Sequence, residues 1–226
     1  MTPSGRLLVV TAVAVERDAV TAGLARAGAA AGAEVIAAGV GPAAAAAATA
    51  TALARADAAG TPFGLVVSAG IGGGFAPAAP LGTVAVAEAI VAADLGAETD
   101  AGFVPVAELG FGTSQHLPPA GLSRRVAQAL GAVYGPVLTV STVTGTAERA
   151  AGLTRRHPTA VAEAMEGFGV AEAAAAANVP VLEIRAVSNA VGPRDRAAWR
   201  IGDALAALTA AFGKLPAALE VDPEHD

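Results

Sequence analysis

Apolar runs of strand length recur along this chain, each followed by a stretch with helical spacing. Leu7 to Val13 reads as a first strand, with a helix after it through Ala29. Glu34 to Ala38 is a second strand, and Gly39-Val40-Gly41-Pro42 then opens an alanine-rich helix to Ala58. Leu65 to Ala69 reads as a buried strand, Gly70 to Gly74 as a loop, and Thr83 to Val91 as a longer strand. Asp94 to Pro119 is loop-rich. A helix from Leu122 to Leu130, a strand from Val137 to Val143 and a short helix from Ala147 to Leu153 follow. The run Thr159 to Ala164 leads into Met165-Glu166-Gly167. The last strand is Val181 to Val187, and the last helix begins near Arg200. This alternation predicts one α/β domain over residues 1–226 with a mostly parallel sheet, and a frayed acidic tail from Glu220 to Asp226.

Polar side chains interrupt the pattern at or near three strand ends. Glu16 follows the apolar run Leu7 to Val15. Glu166 stands where a run of small residues turns into an alanine-rich helix. Asn189 follows Val187-Ser188. Open α/β sheets bind their ligands at such ends. Taken singly, each residue has another reading: Glu16 as a first-turn carboxylate favoured by the helix dipole, Glu166 as a helix cap, Asn189 as a turn residue before Val191-Gly192-Pro193.

Composition narrows the function. With 54% hydrophobic and 15% charged residues, the excess lies in small side chains, which favour close helix–sheet packing. The alanine tracts are too weakly apolar, and too often interrupted, to span a membrane. No signal peptide is expected, because Glu16, Arg17 and Asp18 follow the first apolar run. The net charge of −6 argues against a nucleic-acid surface. The lack of cysteine excludes thiolate catalysis and Cys-based metal sites, and His116, His157 and His225 have no metal-ligand spacing. A cytoplasmic enzyme without metal or cofactor is the expectation. Lys214, the single lysine, falls in the C-terminal helix and is poorly placed for lysine chemistry.

Gly70-Ile71-Gly72-Gly73-Gly74 follows a strand, as dinucleotide loops do, but Phe75-Ala76-Pro77 and Pro80 stand where a helix should begin. Two readings stay open. One is a loop whose backbone approaches a ligand, since glycine leaves room and bares N–H groups. The other is a tight turn without a ligand.

The order Ala12-Val13-Ala14-Val15-Glu16, Ser68 to Phe75, Ala164-Met165-Glu166-Gly167 and Val187-Ser188-Asn189 resembles the purine nucleoside phosphorylase and methylthioadenosine nucleosidase superfamily, over nearly the whole chain. Within it, the chain resembles the futalosine hydrolases. The residues that carry this are Thr11-Ala12-Val13 with Glu16-Arg17-Asp18, Ala93 to Glu98, Met165 to Gly169, and Ser188 to Gly192 followed by Arg194-Asp195-Arg196. The resemblance implies a three-layer α/β/α domain with a central mixed, mostly parallel sheet. It also implies hydrolysis of futalosine to hypoxanthine and dehypoxanthinyl futalosine in menaquinone biosynthesis. Relatives in the superfamily are commonly homodimers or larger, with a neighbour closing the 5′ side of the site.

Roles carry over by the same resemblance. Glu16 matches the carboxylate that activates water, Glu166 the acid on the ribose hydroxyls, and Met165 the methionine packed against the ribose. Gly70, Ile71, Gly72 and Phe168 are expected at the substrate. Asn189 stands where methylthioadenosine nucleosidases have an aspartate, which points to a 6-oxopurine. An amide can donate to purine N7 and bond the 6-oxo group, whereas an aspartate suits a 6-amino group better. Ser68 and Ile71 stand where bacterial phosphorylases hold phosphate, so losing an arginine's charged fork favours water as nucleophile. Arg17 remains nearby. Arg194 and Arg196 are candidates for the substrate's carboxylate tail, with Trp199 lining the same region or packing in the core. The alternatives are a methylthioadenosine nucleosidase, a phosphorylase, or a non-catalytic nucleoside-binding protein on the same fold.

Overall fold

The computed structural model describes residues 5–220, so the acidic tail beyond Glu220 lies outside the described residues. In chain order the elements are β1 (Arg6–Thr11), α1 (Ala14–Arg26), β2 (Ala33–Ala37), α2 (Pro42–Ala58), β3 (Phe63–Gly74) and β4 (Val84–Ala92). A small hairpin, β5 (Gly96–Thr99) and β6 (Gly102–Pro105), precedes β7 (Gln115–His116), α3 (Ala120–Leu130) and β8 (Val133–Thr139). Then come α4 (Ala147–Arg156), β9 (Ala162–Ala164), α5 (Gly167–Ala176), β10 (Val181–Ala190) and α6 (Ile201–Glu220).

The main sheet runs β10-β4-β8-β9-β3-β1-β2, with β7 on β4. Five pairings are parallel (β1 with β2 and β3, β3 with β10, β8 with β4 and β9), and three are antiparallel (β4 with β10 and β7, β3 with β9). Because β10 pairs with β3 as well as β4, the path from β3 through β9, β8, β4 and β10 closes on itself.

Side-chain alternation sorts the strands into two apolar layers. Leu7 and Val9, Leu65 and Val67, and Leu182, Ile184 and Ala186 meet Val20 and Leu24 of α1, Leu122 and Val126 of α3, and Leu208 and Phe212 of α6. Leu8, Val10, Val66, Val181 and Val187 meet α2 and α5 through Ala45, Leu53, Phe168, Val170 and Ala174. Burial on both faces is why these strands read as continuous apolar runs. The small residues set the spacing: a Cβ on Gly23 would run into the Thr209 carbonyl of α6, and one on Gly169 into the Pro42 carbonyl of α2.

Several boundaries differ from the sequence pattern. Gly70 to Gly74 is strand, the continuation of β3, paired with β10 as far as Gly74 and with β9 at Gly73 and Gly74. β10 pairs along one side of it, β9 reaches only Gly73 and Gly74 on the other, and neighbouring groups occupy the space where side chains on its glycines would be. β8 begins at Val133 and ends at Thr139, because its pairing with β4 starts at Val133. Of the run Thr159 to Ala164, only Ala162–Ala164 is strand. β10 extends to Ala190, so Asn189 lies within a strand, where a register shift between Val187 and Asn189 marks a bulge. No described helix is long and apolar enough to cross a membrane.

Candidate active site

At the end of β1 the chain turns through Ala12 and Val13 into α1, and Glu16 falls in that helix's first turn. Its Oε2 accepts from the amides of Ala12 at 3.0 Å and Val13 at 3.2 Å, reaching back as the acid of a capping box does. Its Oε1 accepts from Ile71 N at 2.9 Å. The helix-end reading of Glu16 is therefore correct, but it accounts for one oxygen; the other ties α1 to the glycine strand.

Glu166 occupies the N-cap position of α5, yet its side chain does not cap that helix. Oε1 accepts from Gly41 N at 3.2 Å, and Oε2 lies 3.2 Å from Arg185 Nη1. Gly41 presents that amide from a backbone at φ 94°, a region that favours glycine. Glu166 is thus bound across the sheet to groups far away in sequence.

Arg185 joins these acids from below. It is 1% exposed. Its Nε donates to Glu183 Oε1 at 2.9 Å and its Nη2 to Ser68 Oγ at 3.0 Å. Burial alone would weaken the cation, but Glu183, Glu166 and Glu16 more than offset this, and its pKa lies above the ordinary arginine value. The family resemblance pointed to neither Arg185 nor Glu183. A signal existed: two opposite charges, two residues apart, in an otherwise apolar strand must leave the sheet on one face.

Above this cluster lies a hollow of about 310 Å³. Glu16, Ile71, Gly72, Met165, Glu166 and Asn189 line it, with Trp199 and the partly exposed Val13, Val40 and Val143. Three hollows are roomier: two of about 370 and 660 Å³ along α2, and one of about 420 Å³ lined by Asp94, Glu98, Arg149 and Arg156. The first is mostly alanine and apolar side chains; the polar groups of the second are surface ones such as Arg6 and Glu34. The acids of the third, Asp94 and Glu98, are exposed. None of the three gathers buried acids, so the smallest hollow is the candidate site.

The bulge at Ser188 sets the aim of Asn189, which pairs with Gly73. Its Nδ2 donates to Ala190 O at 3.0 Å, and its Oδ1 accepts from Ser188 Oγ at 2.9 Å. Nδ2 retains a second N–H. Glu163, absent from the sequence reading, also lines the hollow and accepts from Thr144 N at 2.8 Å and from the Thr144 hydroxyl. Burial raises its pKa; the Thr144 hydrogen bonds and Arg149 oppose this, and Asp94 adds to it.

Four expected site residues lie elsewhere. Gly70 is behind the wall: a Cβ there would come within 2.7 Å of Glu16 Oε1 and 2.8 Å of Arg185 Nη1, so its bareness makes room for the charge cluster. Phe168, two residues past Glu166, turns into the apolar layer with its ring 5.2 Å from that of His116. Arg194 and Arg196 are exposed and do not line the hollow; their guanidinium carbons lie 5.8 and 5.9 Å from the Trp199 ring centre. Arg17 pairs with Asp18 at the surface. Among the described residues, no arginine or lysine lines the hollow.

Comparison with known proteins agrees with this architecture. Residues 14–219 match the profile of the phosphorylase superfamily. A futalosine hydrolase of Streptomyces coelicolor is 65% identical over 97% of this chain and 99% of its own length. One from Acidothermus cellulolyticus is 48% identical, covering 95% of this chain and 92% of that protein. Among solved structures, a methylthioadenosine/S-adenosylhomocysteine nucleosidase of Colwellia psychrerythraea in complex with adenine superposes with a TM-score of 0.75. It is 20% identical, covering 96% of this chain and 94% of that one, a likeness of fold.

Proposed function

We propose that this chain, which belongs to the phosphorylase superfamily, is a futalosine hydrolase: it cleaves the N-glycosidic bond of futalosine with water, releasing hypoxanthine. The observation that carries the reading is the convergence of Glu16 and Glu166 on one hollow with Met165 and Asn189, in a chain 65% identical to a protein of that name.

Cleavage builds positive charge on the ribose and negative charge on the departing purine, as in the oxocarbenium-like states of glycoside hydrolysis. Catalysis requires groups that bind those charges better than they bind the ground state. Glu166 takes the ribose hydroxyls and favours the cationic sugar. Glu16 accepts a proton from the attacking water. Met165 packs against the ribose. The free N–H of Asn189 meets purine N7 or the 6-oxo group. Arg194 and Arg196, with guanidinium carbons 5.8 and 5.9 Å from the ring centre of Trp199, which lines the hollow, take the substrate's carboxylate tail; alanine there should raise KM and spare kcat. Exposed Val13, Val40 and Val143 at the hollow, together with Phe111 and Leu117, support a homodimer or larger assembly, which light scattering would read.

The test is a panel of futalosine, its 6-amino analogue, methylthioadenosine and inosine, each with and without phosphate, with the released base and sugar identified. Futalosine should be turned over without phosphate to a free reducing sugar, since no cation lines the hollow among the described residues. A ribose 1-phosphate product or strict phosphate dependence would overturn this.

The same panel reads base choice. A 6-amino group opposes the amide N–H of Asn189 donor to donor. An unmatched polar contact in a buried site costs about 1–3 kcal/mol, or about one to two decades in kcat/KM. Futalosine should be preferred by that margin, and Asn189→Asp should move the preference toward the amino form. Equal kcat/KM on the two nucleosides, or no shift in the variant, would show that Asn189 does not read the 6-position.

A further inference from the structure

Glu183 is a buried acid that this hydrolysis does not use. It stands on β10 two residues before Arg185, so both side chains leave the sheet toward α5. Its Oε1 accepts from Arg185 Nε at 2.9 Å. Its Oε2 is buried and, among the described residues, has no hydrogen-bond partner. The carboxyl group fills the space where a side chain on Gly167, the first residue of α5, would begin. The charged groups facing it are Arg185 on its own strand and Glu166 at the start of α5, with Glu16 of α1 on the far side of Arg185.

Three carboxyl groups therefore surround one guanidinium in the interior, and their hydrogen bonding is unequal. Glu16 accepts from three backbone amides. Glu166 has Gly41 N and Arg185 Nη1. Among the described residues, Glu183 has Arg185 Nε alone and one oxygen without a partner. A carboxylate withdrawn from water is costly unless both oxygens are satisfied. A proton taken up by the cluster is held most cheaply where the anion is least supported. Burial raises the Glu183 pKa; the Arg185 charge and hydrogen bond offset part of this, and Glu166 adds to it.

We infer that Glu183 stands as the un-ionised acid, with its proton on Oε2, and is a positioning residue whose carbonyl oxygen holds Arg185 by the Nε edge. The guanidinium charge is thereby left to Glu166 and Glu16. Gly167 is part of the device, because any side chain there would displace the acid. The inference rests on the proposed roles of Glu16 and Glu166, but its first test does not.

Infrared difference spectra of the wild type against E183Q at neutral pH should contain the carbonyl band of an un-ionised carboxylic acid, present in the wild type and lost in the variant. The folded protein would hold this proton after the unfolded chain had lost it, so wild-type stability should fall relative to E183Q as pH rises above the unfolded-state value. Kinetics form the second arm. E183A frees the Nε edge and should lower kcat roughly tenfold or more, as misplacement of reacting groups does. E183Q keeps a neutral acceptor and should restore most of the loss, with the acid limb of the kcat/KM profile unmoved. A missing band, an acid limb moved to lower pH in E183Q, or wild-type kcat in E183A would each overturn the inference. If E183A does not fold, the band and the E183Q profile still decide. If futalosine is not turned over at all, the functional reading fails, while the band still reports on Glu183.

Discussion

Glu16→Gln should lower kcat on futalosine by roughly 10²- to 10⁴-fold, the range for removing a general base. Glutamine keeps the shape but cannot take the proton of the attacking water. It also brings an NH₂ group against the amides of Ala12, Val13 or Ile71, all of which need an acceptor. That mismatch costs about 1–3 kcal/mol of stability, so turnover is to be normalised to the folded fraction from a melting curve. Glu166→Gln meets a similar conflict between Gly41 N and Arg185. Because Glu166 is read as binding the ribose in both ground and transition states, it should lower kcat/KM strongly and raise KM as well. Near-wild-type kcat in folded Glu16→Gln, or unchanged KM and kcat/KM in folded Glu166→Gln, would reject the assigned role.

The largest loss of stability is expected from Arg185→Met. Removing one partner of a buried ion pair costs about 3–5 kcal/mol, because the other charge stays buried without compensation. Here the Glu166 carboxylate loses the guanidinium that it contacts, and Glu183 loses the only donor to its Oε1 among the described residues. The Glu183 pKa, which the Arg185 charge and hydrogen bond hold down against burial, should then rise further. Groups whose folded-state pKa is raised give stability that is lost as pH increases, so the variant should melt progressively earlier toward alkaline pH. A second change separates folding from chemistry. The double variant R185M/E183L replaces the Glu183–Arg185 pair by apolar side chains, an exchange that is often neutral or stabilising. It should recover much of the melting temperature but not the activity, since Glu166 would still lack its cation. Recovery of both would mean that Arg185 serves the fold alone. Measured melting over a pH series, with kcat/KM alongside, distinguishes these outcomes.

Much of this protein was legible in its residues. The run Leu7 to Val13, the strand Leu65 to Ala69 and the run Val181 to Val187 declared themselves because a strand buried on both faces must be apolar throughout. The alanine-rich helix starting at Pro42 declared itself through its spacing and its opening Gly-Pro. Met165, Glu166 and Asn189 were found because polar or unusual residues at strand ends stand out against such runs, and the family resemblance ordered them. Where the structure places residues differently from the sequence pattern, the causes are local. Glycine carries no side-chain signal, so Gly70 to Gly74 read as a loop although pairing with β9 and β10 makes it strand. Phe168 was expected at the substrate through the family resemblance of Met165 to Gly169, but helical geometry turns it into the apolar layer. Arg194 and Arg196 were candidates from sequence position alone, which does not specify direction; they stand outside the hollow, beside Trp199.

The sequence by itself therefore determined the layered α/β class, most element positions, and the identities of the acids and the amide at the strand ends, because these follow from local periodicity and chemical contrast. The tertiary structure alone decided how they act together. Pairing of β10 with both β3 and β4 closes the sheet. That closure brings Arg185 beneath Glu166 and beside Glu16, and sets Glu183 against Gly167. A bulge at Ser188 turns Asn189 into register with Gly73. These are contacts between residues far apart in the chain. Their geometry depends on strand order and register, which arise from the packing of the whole sheet and leave no trace in any short window of sequence.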